Sequence, residues 1–339
     1  MSDFQDAKKL VQTFNNEIDS GRSLSAIFSE HTALDYCWRG VRPFYNKNSA
    51  DDVIETFWKP LKHAFTGFER REDIFFAGSC ESEQGKNGAI WTCSMGHFAG
   101  LYDNPLIEIP ATGRLTFLRY AEFNRVDDNK IIETAIWLDL IGLMHDCGVY
   151  PLPPMTGRWF TYPGPKGGQG RLLDKHDPAE GEKTLTLLNK MIANLGAANL
   201  KNDEHFPAEL LREHWTEDMA WYGPCGIGAT RTIPRYQQQH QYPFRLNLYD
   251  KKFNGHVARF AEGDFAAFFG WPNLSNKNSG GFLGMVNSNT DAPMRVVDVY
   301  RREGQKLAEN WVLIDLPHYL SEQGLCVFER MRQLSGKSF

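Results

Sequence analysis

The sequence of 339 residues lacks the features that mark several large classes of protein. Its 6 cysteines form no CxxC pair, which argues against a zinc knuckle, a redox motif or a disulfide framework. No apolar run approaches the roughly 18 residues of a membrane span, and no signal peptide opens the chain. The net charge of -5 comes with mixed signs and no basic stripe. We therefore expect a cytoplasmic protein that binds neither membranes nor nucleic acid.

Motifs for cofactors and for common nucleophiles are also missing. The glycine-rich segment from Gly164 to Gly170 follows no predicted strand and lacks the GK[ST] ending of a phosphate-binding loop. The sequence contains no GxSxG, no HExxH and no facial triad at a recognisable spacing. We expect no metal and no nucleotide cofactor.

Aromatic and aliphatic residues, by contrast, are abundant. Hydrophobic residues make up 42% of the chain and aromatic residues 13%, which excludes a mainly disordered protein. Because domains usually run to roughly 100 to 200 residues, a chain of this length favours two globular units over one.

Two blocks of sequence recur, which indicates an internal duplication. The first block is repeated 183 positions later, with Glu30, His31, Asp35, Trp38 and Gly40 matching Glu213, His214, Asp218, Trp221 and Gly223. A second block is repeated 176 positions later, with Arg125, Lys130, Glu133, Asp139, Leu140 and Gly148 matching Arg301, Lys306, Glu309, Asp315, Leu316 and Gly324. The offsets of 183 and 176 differ by seven residues, a length difference that is normal for a loop. The period is too long for a solenoid and fits two complete domains.

A segment rich in proline and glycine separates the two repeats. It predicts a first domain at 1–148, a linker at 149–178 and a second domain at 179–339, which we call copy one and copy two. Each copy starts with amphipathic helices and continues with strand-like segments, the order typical of an α+β domain with a mostly antiparallel sheet. In copy one the four long strands are predicted at 71–78, 89–101, 115–126 and 131–140. A sheet curled around the helices would enclose a cone-shaped cavity.

Asp139 and its repeat Asp315 are candidate catalytic groups because each ends the last predicted strand of its copy. Alternate residues of a strand share a face, so Asp139 is expected beside Trp137. A carboxylate in a partly apolar site has a raised pKa and can act as an acid or base near neutral pH. Each aspartate also directly precedes a predicted helix, so capping of that helix explains it equally well. The sequence leaves both interpretations open.

Aromatic and histidine side chains are candidates for the cavity wall. An aromatic residue in a short strand belongs more often to the core than to a binding site, and a histidine is more often structural than a proton shuttle. His97 and His256 both lie in predicted strands. The candidates for binding a small apolar or aromatic ligand are Trp38, Trp137, Trp221, Tyr222, Trp311 and His256.

The motifs of both copies resemble those of the SnoaL-like polyketide cyclase or ester cyclase family, within the nuclear transport factor two-like superfamily. In copy two the resemblance rests on DMAWYGPCGIG, GGFLGM and VVDVYRREGQKLAENWVLIDL. In copy one it rests on DYCWRG, GHFAGLYDNPLIEIPATG and KIIETAIWLDLIGLMHDCG. The resemblance extends over nearly the whole chain outside the linker.

The resemblance implies two tandem cone-shaped α+β barrels that work without a cofactor. In the family an aspartate acts as acid and base on an enolisable ketone during an intramolecular aldol ring closure. That role would fall on Asp139 and Asp315, with His97 as a further candidate. Copy two has Gly281 at roughly the place of His97, so copy one is favoured as the active copy.

Such domains commonly pair through the outer faces of their sheets. The resemblance therefore implies an internal pseudo-dimer and leaves further homo-oligomerisation open. Relatives of the same fold include isomerases, dehydratases, hydrolases and binding proteins, so the fold alone does not fix the function.

Two functions compete. The first is an enzyme of the isomerase or cyclase type that moves a proton on a small, mostly apolar carbonyl compound. The second is a non-catalytic small-molecule-binding or scaffold protein in which aromatic side chains plug one or both cavities. The side chains that could plug them are Phe75, Phe76, Phe265, Phe268 and Phe269.

Overall fold

A computed structural model describes residues 4–200 and 206–336, apart from the side chains of residues 198–200. Copy one begins with helices α1 (Gln5–Asp19) and α2 (Leu24–His31), followed by strand β1 (Thr32–Gly40). A continuous helical stretch comes next, made of α3 (Ala50–Val53), a π-helical turn (Ile54–Trp58) and α4 (Lys59–Ala64). The copy ends with β2 (Phe65–Ser79), β3 (Ile90–Tyr102), β4 (Leu115–Asp127), β5 (Lys130–Leu138) and α5 (Leu140–Asp146).

Copy two repeats this order of elements with more interruptions. It begins with α6 (Pro178–Leu200), α7 (Ala208–Arg212), β6 (Trp215–Tyr222) and β7 (Ala229–Arg231). Its long helical stretch is α8 (Ile233–Tyr236), a π-helical turn (Gln237–Gln241) and α9 (Tyr242–Asn247). The strands that follow are β8 (Leu248–Phe253), β9 (Ala258–Glu262), β10 (Phe265–Phe269), β11 (Leu274–Asn278), β12 (Ser288–Met294), β13 (Val296–Glu303) and β14 (Lys306–Ile314). A 3-10 turn (Phe282–Gly284) lies before β12, and α10 (Leu316–Glu322) and α11 (Val327–Leu334) close the described chain.

The sheets confirm the predicted α+β class. In copy one the strand order is β1-β5-β4-β3-β2, with β1 parallel to β5 and the other pairs antiparallel. In copy two the main sheet has the order β7-β6-β14-β13-β10-β9, and a separate sheet has the order β12-β11-β8. These sheets are open and curled, so the barrel of the prediction is not closed.

Three long strands of copy one correspond to broken strands in copy two. Each is replaced by a pair, β8 with β9, β10 with β11 and β12 with β13. A tight turn at Gly270 separates β10 from β11. The turn requires glycine because a β-carbon at this position would lie 2.6 Å from Cα of Asn273. The break bends the outer half of the sheet away as the three-stranded sheet β12-β11-β8.

The repeated Trp-x-Gly motif has a steric basis. A β-carbon at Gly40 would lie 2.0 Å from the ring of Trp38, and one at Gly223 would lie 2.1 Å from the ring of Trp221. Each indole thus packs over the glycine two residues ahead on the same face of its strand. Both rings are buried as a result.

The two copies pack together through the outer faces of their sheets. On β4, Glu122 points into copy one, and its neighbour Phe123 points outward. The ring of Phe123 lies 4.9 Å from that of Phe269 and 6.0 Å from that of Phe260, both in copy two. Trp137 on β5 joins this contact, with its ring 5.3 Å from that of Phe269.

The segment between the copies is bonded to both of them. The backbone of Phe75 on β2 exchanges hydrogen bonds with the carbonyl of Gly170 and the N–H of Leu172. Arg158 forms a bridge with Ala229 on β7 in the same way. Within residues 4–200 and 206–336, no helix is long and apolar enough to cross a membrane.

Candidate functional site

Copy two encloses a cavity of about 540 Å³, within the range that small-molecule sites usually have. One wall is the concave face of β13 and β14, and the opposite wall is the helical stretch from α8 to α9. Apolar side chains form most of the lining, among them Phe206, Leu211, Trp221, Phe244, Phe268 and Met294. A small set of polar side chains also faces the cavity.

Asp298 is the carboxylate in this wall. It lies on β13 between Val297 and Val299, whose side chains point to the opposite face. The hydroxyl of Tyr300 donates to its Oδ1 at 3.1 Å, and Nδ2 of Asn310 donates to the same atom at 3.2 Å. Among the described residues no donor contacts Oδ2, so one oxygen of the carboxylate remains available to a ligand.

The environment of Asp298 changes its acidity. Protein surrounds the carboxyl on all sides except that of the cavity, and this burial raises its pKa to about 7. The hydrogen bonds from Asn310 and Tyr300 favour the charged form and oppose the shift only in part. Protonated and ionised forms of Asp298 therefore coexist near neutral pH, as an acid–base catalyst requires.

His240 stands on the helical wall. Its imidazole stacks on the indole of Trp221, with ring centroids 3.9 Å apart and an interplanar angle of 15°. Burial lowers the pKa of His240 to about 3, so the ring is neutral at physiological pH. A neutral imidazole can still donate one hydrogen bond to a ligand.

The interior of copy one is filled at the matching positions. The guanidinium of Arg70 lies 5.0 Å from the ring centroid of Phe98, 4.9 Å from that of Tyr120 and 5.7 Å from that of Trp58. Its Nη2 is 3.3 Å from a carboxylate oxygen of Glu122. The side chains of this ion pair are almost wholly buried.

A few substitutions between the copies account for the difference. Trp58 and Gln241 end the two π-helical turns and lie 183 positions apart. Tyr120 and Val296, 176 positions apart, are likewise matched, with Val296 much the smaller residue. Copy two therefore has empty space where copy one has an indole and a phenol. The expectation that copy one is the active copy is not supported by this arrangement.

The phenylalanines that could plug the cavities under the second hypothesis lie mainly elsewhere. Phe76 contacts Phe260 and Phe265 across the two copies, and Phe269 contacts Trp91 at the same interface. Phe268 does reach the cavity of copy two but forms part of its wall.

The structure places Asp139 and Asp315 at helix starts and between the copies, not in the cavity wall. Asp139 caps α5 by accepting a hydrogen bond from the N–H of Gly142 at 3.0 Å. Asp315 caps α10 through the N–H of His318 at 3.2 Å. Burial raises the pKa of both carboxyls, that of Asp315 to about 6. Both aspartates therefore cap helices, one of the two interpretations that the sequence left open, and Asp315 also forms an ion pair with Arg295 at 3.2 Å.

Two of the other predicted residues line the cavity. Trp221 does so beside His240, and His256 does so while stacked on Phe268 at 4.1 Å. Nδ1 of His256 accepts a hydrogen bond from Arg259 at 2.9 Å, and burial lowers its pKa to about 4. His256 is thus neutral and already bonded.

The remaining predicted residues lie in cores or interfaces. Trp38 packs on Phe57 inside copy one, and His97 lies 3.4 Å from Asp73. Trp137 donates to the carbonyl of Arg295 across the copies. Tyr222 stacks on Trp311, whose indole N–H donates to the carbonyl of Pro163 in the linker.

Sequence reasoning missed Asp298, His240, Tyr300 and Asn310. Asp298 was detectable, because it is an acid between two valines and lies 176 positions after Glu122. A search for identical residues does not pair an aspartate with a glutamate. His240 had no such marker, since its counterpart in copy one is Phe57.

One group of possible metal ligands lies away from the cavity. Glu17, Glu30 and His31 bring their ligand atoms within 4.8 Å of one another. Arg22 forms ion pairs with both glutamates at 2.5 and 2.6 Å, and so already compensates their charge.

No family model matches this chain, and no curated protein matches it either. Solved structures do match parts of it. A protein from Jannaschia sp. CCS1, described as a SnoaL-like polyketide cyclase, is 14% identical, with 45% of this chain and 98% of that chain covered and a TM-score of 0.34. One from Acidithiobacillus ferrooxidans, described as a polyketide cyclase, is 16% identical, with 44% and 99% covered and a TM-score of 0.34. A nuclear transport factor two-like protein from Burkholderia thailandensis is 17% identical, with 42% and 95% covered and a TM-score of 0.31.

These are proteins of the kind that the sequence motifs resemble. Each matches a stretch about as long as one copy. The likeness concerns the fold only, and no activity passes from these proteins to this chain.

Proposed function

We propose that the cavity of copy two binds a small, mostly apolar carbonyl compound and that Asp298 is its acid–base catalyst. The observation that carries this proposal is the carboxylate itself, which faces an apolar cavity with one oxygen that no donor contacts among the described residues. Its pKa of about 7 matches the pH at which a general base works best. The reaction would belong to the isomerase or cyclase type and need no cofactor.

The chemistry follows from the arrangement of the wall. Oδ2 of Asp298 removes a proton from the carbon next to the substrate carbonyl, while Tyr300 and Asn310 hold Oδ1 in place. The electron pair of the broken C–H bond moves to the carbonyl oxygen and forms an enolate. The neutral imidazole of His240 donates a hydrogen bond to that oxygen. Asp298 then returns the proton at the same or another carbon. Alternatively, the enolate carbon attacks a second carbonyl of the substrate and closes a ring, and the alkoxide so formed takes the proton back from Asp298.

A binding protein without catalysis is the second candidate. The filled interior of copy one favours a scaffold role without ligand binding for that copy, because the side chains of Arg70, Glu122 and their aromatic neighbours occupy it. Copy one would then act as a scaffold for copy two.

Deuterium exchange at the carbon next to a carbonyl tests the catalytic proposal. We would follow 1-indanone and related aromatic ketones in D2O by proton NMR, with wild type, Asp298→Asn and the surface variant Asp35→Asn. We expect Asp298→Asn to slow exchange by roughly 100-fold or more, the usual contribution of a general base, while Asp35→Asn behaves as wild type.

Ligand binding separates the two candidates. A thermal-shift titration with the same ketones should show that Asp298→Asn still binds, whereas Gln241→Trp, which introduces the side chain of copy one, loses binding and exchange together. Binding with no exchange above buffer would favour the binding protein. Exchange that Asp298→Asn leaves intact would refute the role of this residue.

A further inference from the structure

Cationic side chains also line the cavity of copy two. Arg245 on α9, with Lys251 and Lys252 on β8, contributes to the lining. Lys252 is paired with Asp291 at 2.6 Å, so its charge is compensated. β8 belongs to the three-stranded sheet, whereas Asp298 lies in the main sheet.

Lys251 differs from its neighbour. Its ammonium group donates to the backbone carbonyl of Leu248 and lies 5.7 Å from the ring centroid of Phe244. Among the described residues, no carboxylate lies within ion-pair distance of it. Burial and the nearby charge of Arg245 lower the pKa of Lys251 to about 8, so it remains mostly charged at pH 7.

A partly buried ammonium group is costly unless an anion compensates it. In the part of the chain that the structure describes, Asp298 does not compensate the charge of Lys251, since the two form no ion pair. Both groups line the same cavity, so a ligand that fills it can contact both.

We propose that the ligand is an apolar, ring-bearing molecule with an anionic group such as a carboxylate, an inference that rests on the function proposed above. The anionic group pairs with Lys251, while the carbonyl end of the same molecule lies at Asp298. The anion supplies the negative charge that none of the described residues places next to the ammonium group. Lys251 is then a specificity-determining residue that selects charged ligands over neutral ones of the same shape.

A matched pair of fluorescent probes tests this. The sulfonate 8-anilinonaphthalene-1-sulfonate and the neutral N-phenyl-1-naphthylamine share nearly the same aromatic skeleton and differ in the anionic group. Fluorescence titration at pH 7 should give the sulfonate an affinity about tenfold higher in wild type, equivalent to about 1.4 kcal/mol. Lys251→Met should remove that preference and leave the neutral probe unchanged.

Two further variants keep the test specific. Lys251→Arg retains the charge and should retain the preference. Lys277→Met removes a cation of the same three-stranded sheet that is paired with Asp250 and does not line the cavity, and should also retain it. Equal affinities for the two probes in wild type, or a preference that survives in Lys251→Met, would overturn the inference.

Failure of the proposed function has a different result. Gln241→Trp fills the cavity and should abolish binding of both probes. If it leaves both affinities unchanged, the probes do not bind in this cavity, and the proposed binding site and the inference built on it fall together. If Gln241→Trp blocks both probes and the wild type shows no preference for the sulfonate, only the role of Lys251 is refuted.

Discussion

The carboxylate of Asp139 accepts a hydrogen bond of 2.9 Å from the backbone N–H of Cys225, a residue of the other copy. The relation is reciprocal, because both oxygens of Asp315 lie 3.2 Å from the backbone nitrogen of Arg42. Arg42 and Cys225 are themselves 183 positions apart and so are matched in the repeat. Each aspartate thus caps a helix of its own copy and binds the backbone of the other.

This double role predicts that Asp139→Asn and Asp315→Asn each lower the free energy of unfolding. An asparagine at 139 keeps one acceptor oxygen, so its NH2 group faces the N–H of either Gly142 or Cys225, which then has no acceptor. An asparagine at 315 can still accept from Arg42 and His318 through one oxygen, but the guanidinium of Arg295, 3.2 Å from Oδ2, loses its carboxylate. Leaving a buried donor unpaired costs about 1 to 3 kcal/mol. Urea denaturation followed by tryptophan fluorescence measures the change, with Asp35→Asn as the control at an exposed position. Unchanged stability in both variants would show that these contacts contribute little.

The raised pKa of Asp298 predicts a dependence of stability on pH. Its pKa in the folded protein is about 7, against an ordinary value of 3.8, so the folded state binds the proton more tightly than the unfolded state. The contribution of Asp298 to the free energy of unfolding is therefore greatest below about pH 4, falls as the pH rises to about 7 and is constant above that.

Asp298→Asn isolates this contribution, because Asp315, with a pKa raised to about 6, changes stability in the same direction in both proteins. Urea denaturation between about pH 4 and pH 8 should show that the stability of the variant relative to wild type rises with pH. A difference that does not vary with pH would mean that Asp298 has an ordinary pKa.

The buried ion pair in copy one gives a third prediction. Glu122→Gln leaves the guanidinium of Arg70 without its carboxylate and should cost about 3 to 5 kcal/mol of unfolding free energy. The double variant Arg70→Met with Glu122→Leu removes both charges and should regain most of that loss. If the single and double variants are equally unstable, packing and not charge explains the role of the pair.

The two Trp-x-Gly motifs provide a matched pair of variants. Gly40→Ala and Gly223→Ala each place a methyl group where the indole now lies, which should cost about 1 to 3 kcal/mol of stability. Only Gly223→Ala displaces a ring of the cavity wall, so only this variant should weaken binding of N-phenyl-1-naphthylamine. Equal effects of both variants on probe binding would indicate a general loss of structure.

The fold was predictable because its determinants are local and repeated. The alternation of residues around Asp139 placed β5 at 131–140, and the structure has it at Lys130–Leu138. Similarly, β4 was predicted at 115–126 and extends from Leu115 to Asp127. The broken strands of copy two could not be predicted in this way, because Gly270 acts through a contact with Asn273 that exists only in the folded chain.

The cavity was harder to predict because it is a property of volume. Whether copy one or copy two is open depends on the sizes of residues such as Trp58 and Gln241, which are far from Asp298 in sequence. The alternation rule placed Trp137 and Asp139 on one face correctly, but that face meets the other copy and not the cavity. Sequence alone does not distinguish an outer face covered by a second domain from an inner face, since both are apolar.

The packing of Phe123 against Phe260 and Phe269 also affects the cooperativity of unfolding. Separation of the copies would expose these rings to water and leave the N–H groups of Cys225 and Arg42 without their carboxylates. An intermediate with only one copy folded is therefore high in free energy. Denaturation should be a single cooperative transition, unlike the stepwise unfolding of two independent domains joined by a linker. If copy one and copy two are co-expressed as separate chains, they should accordingly associate and fold together.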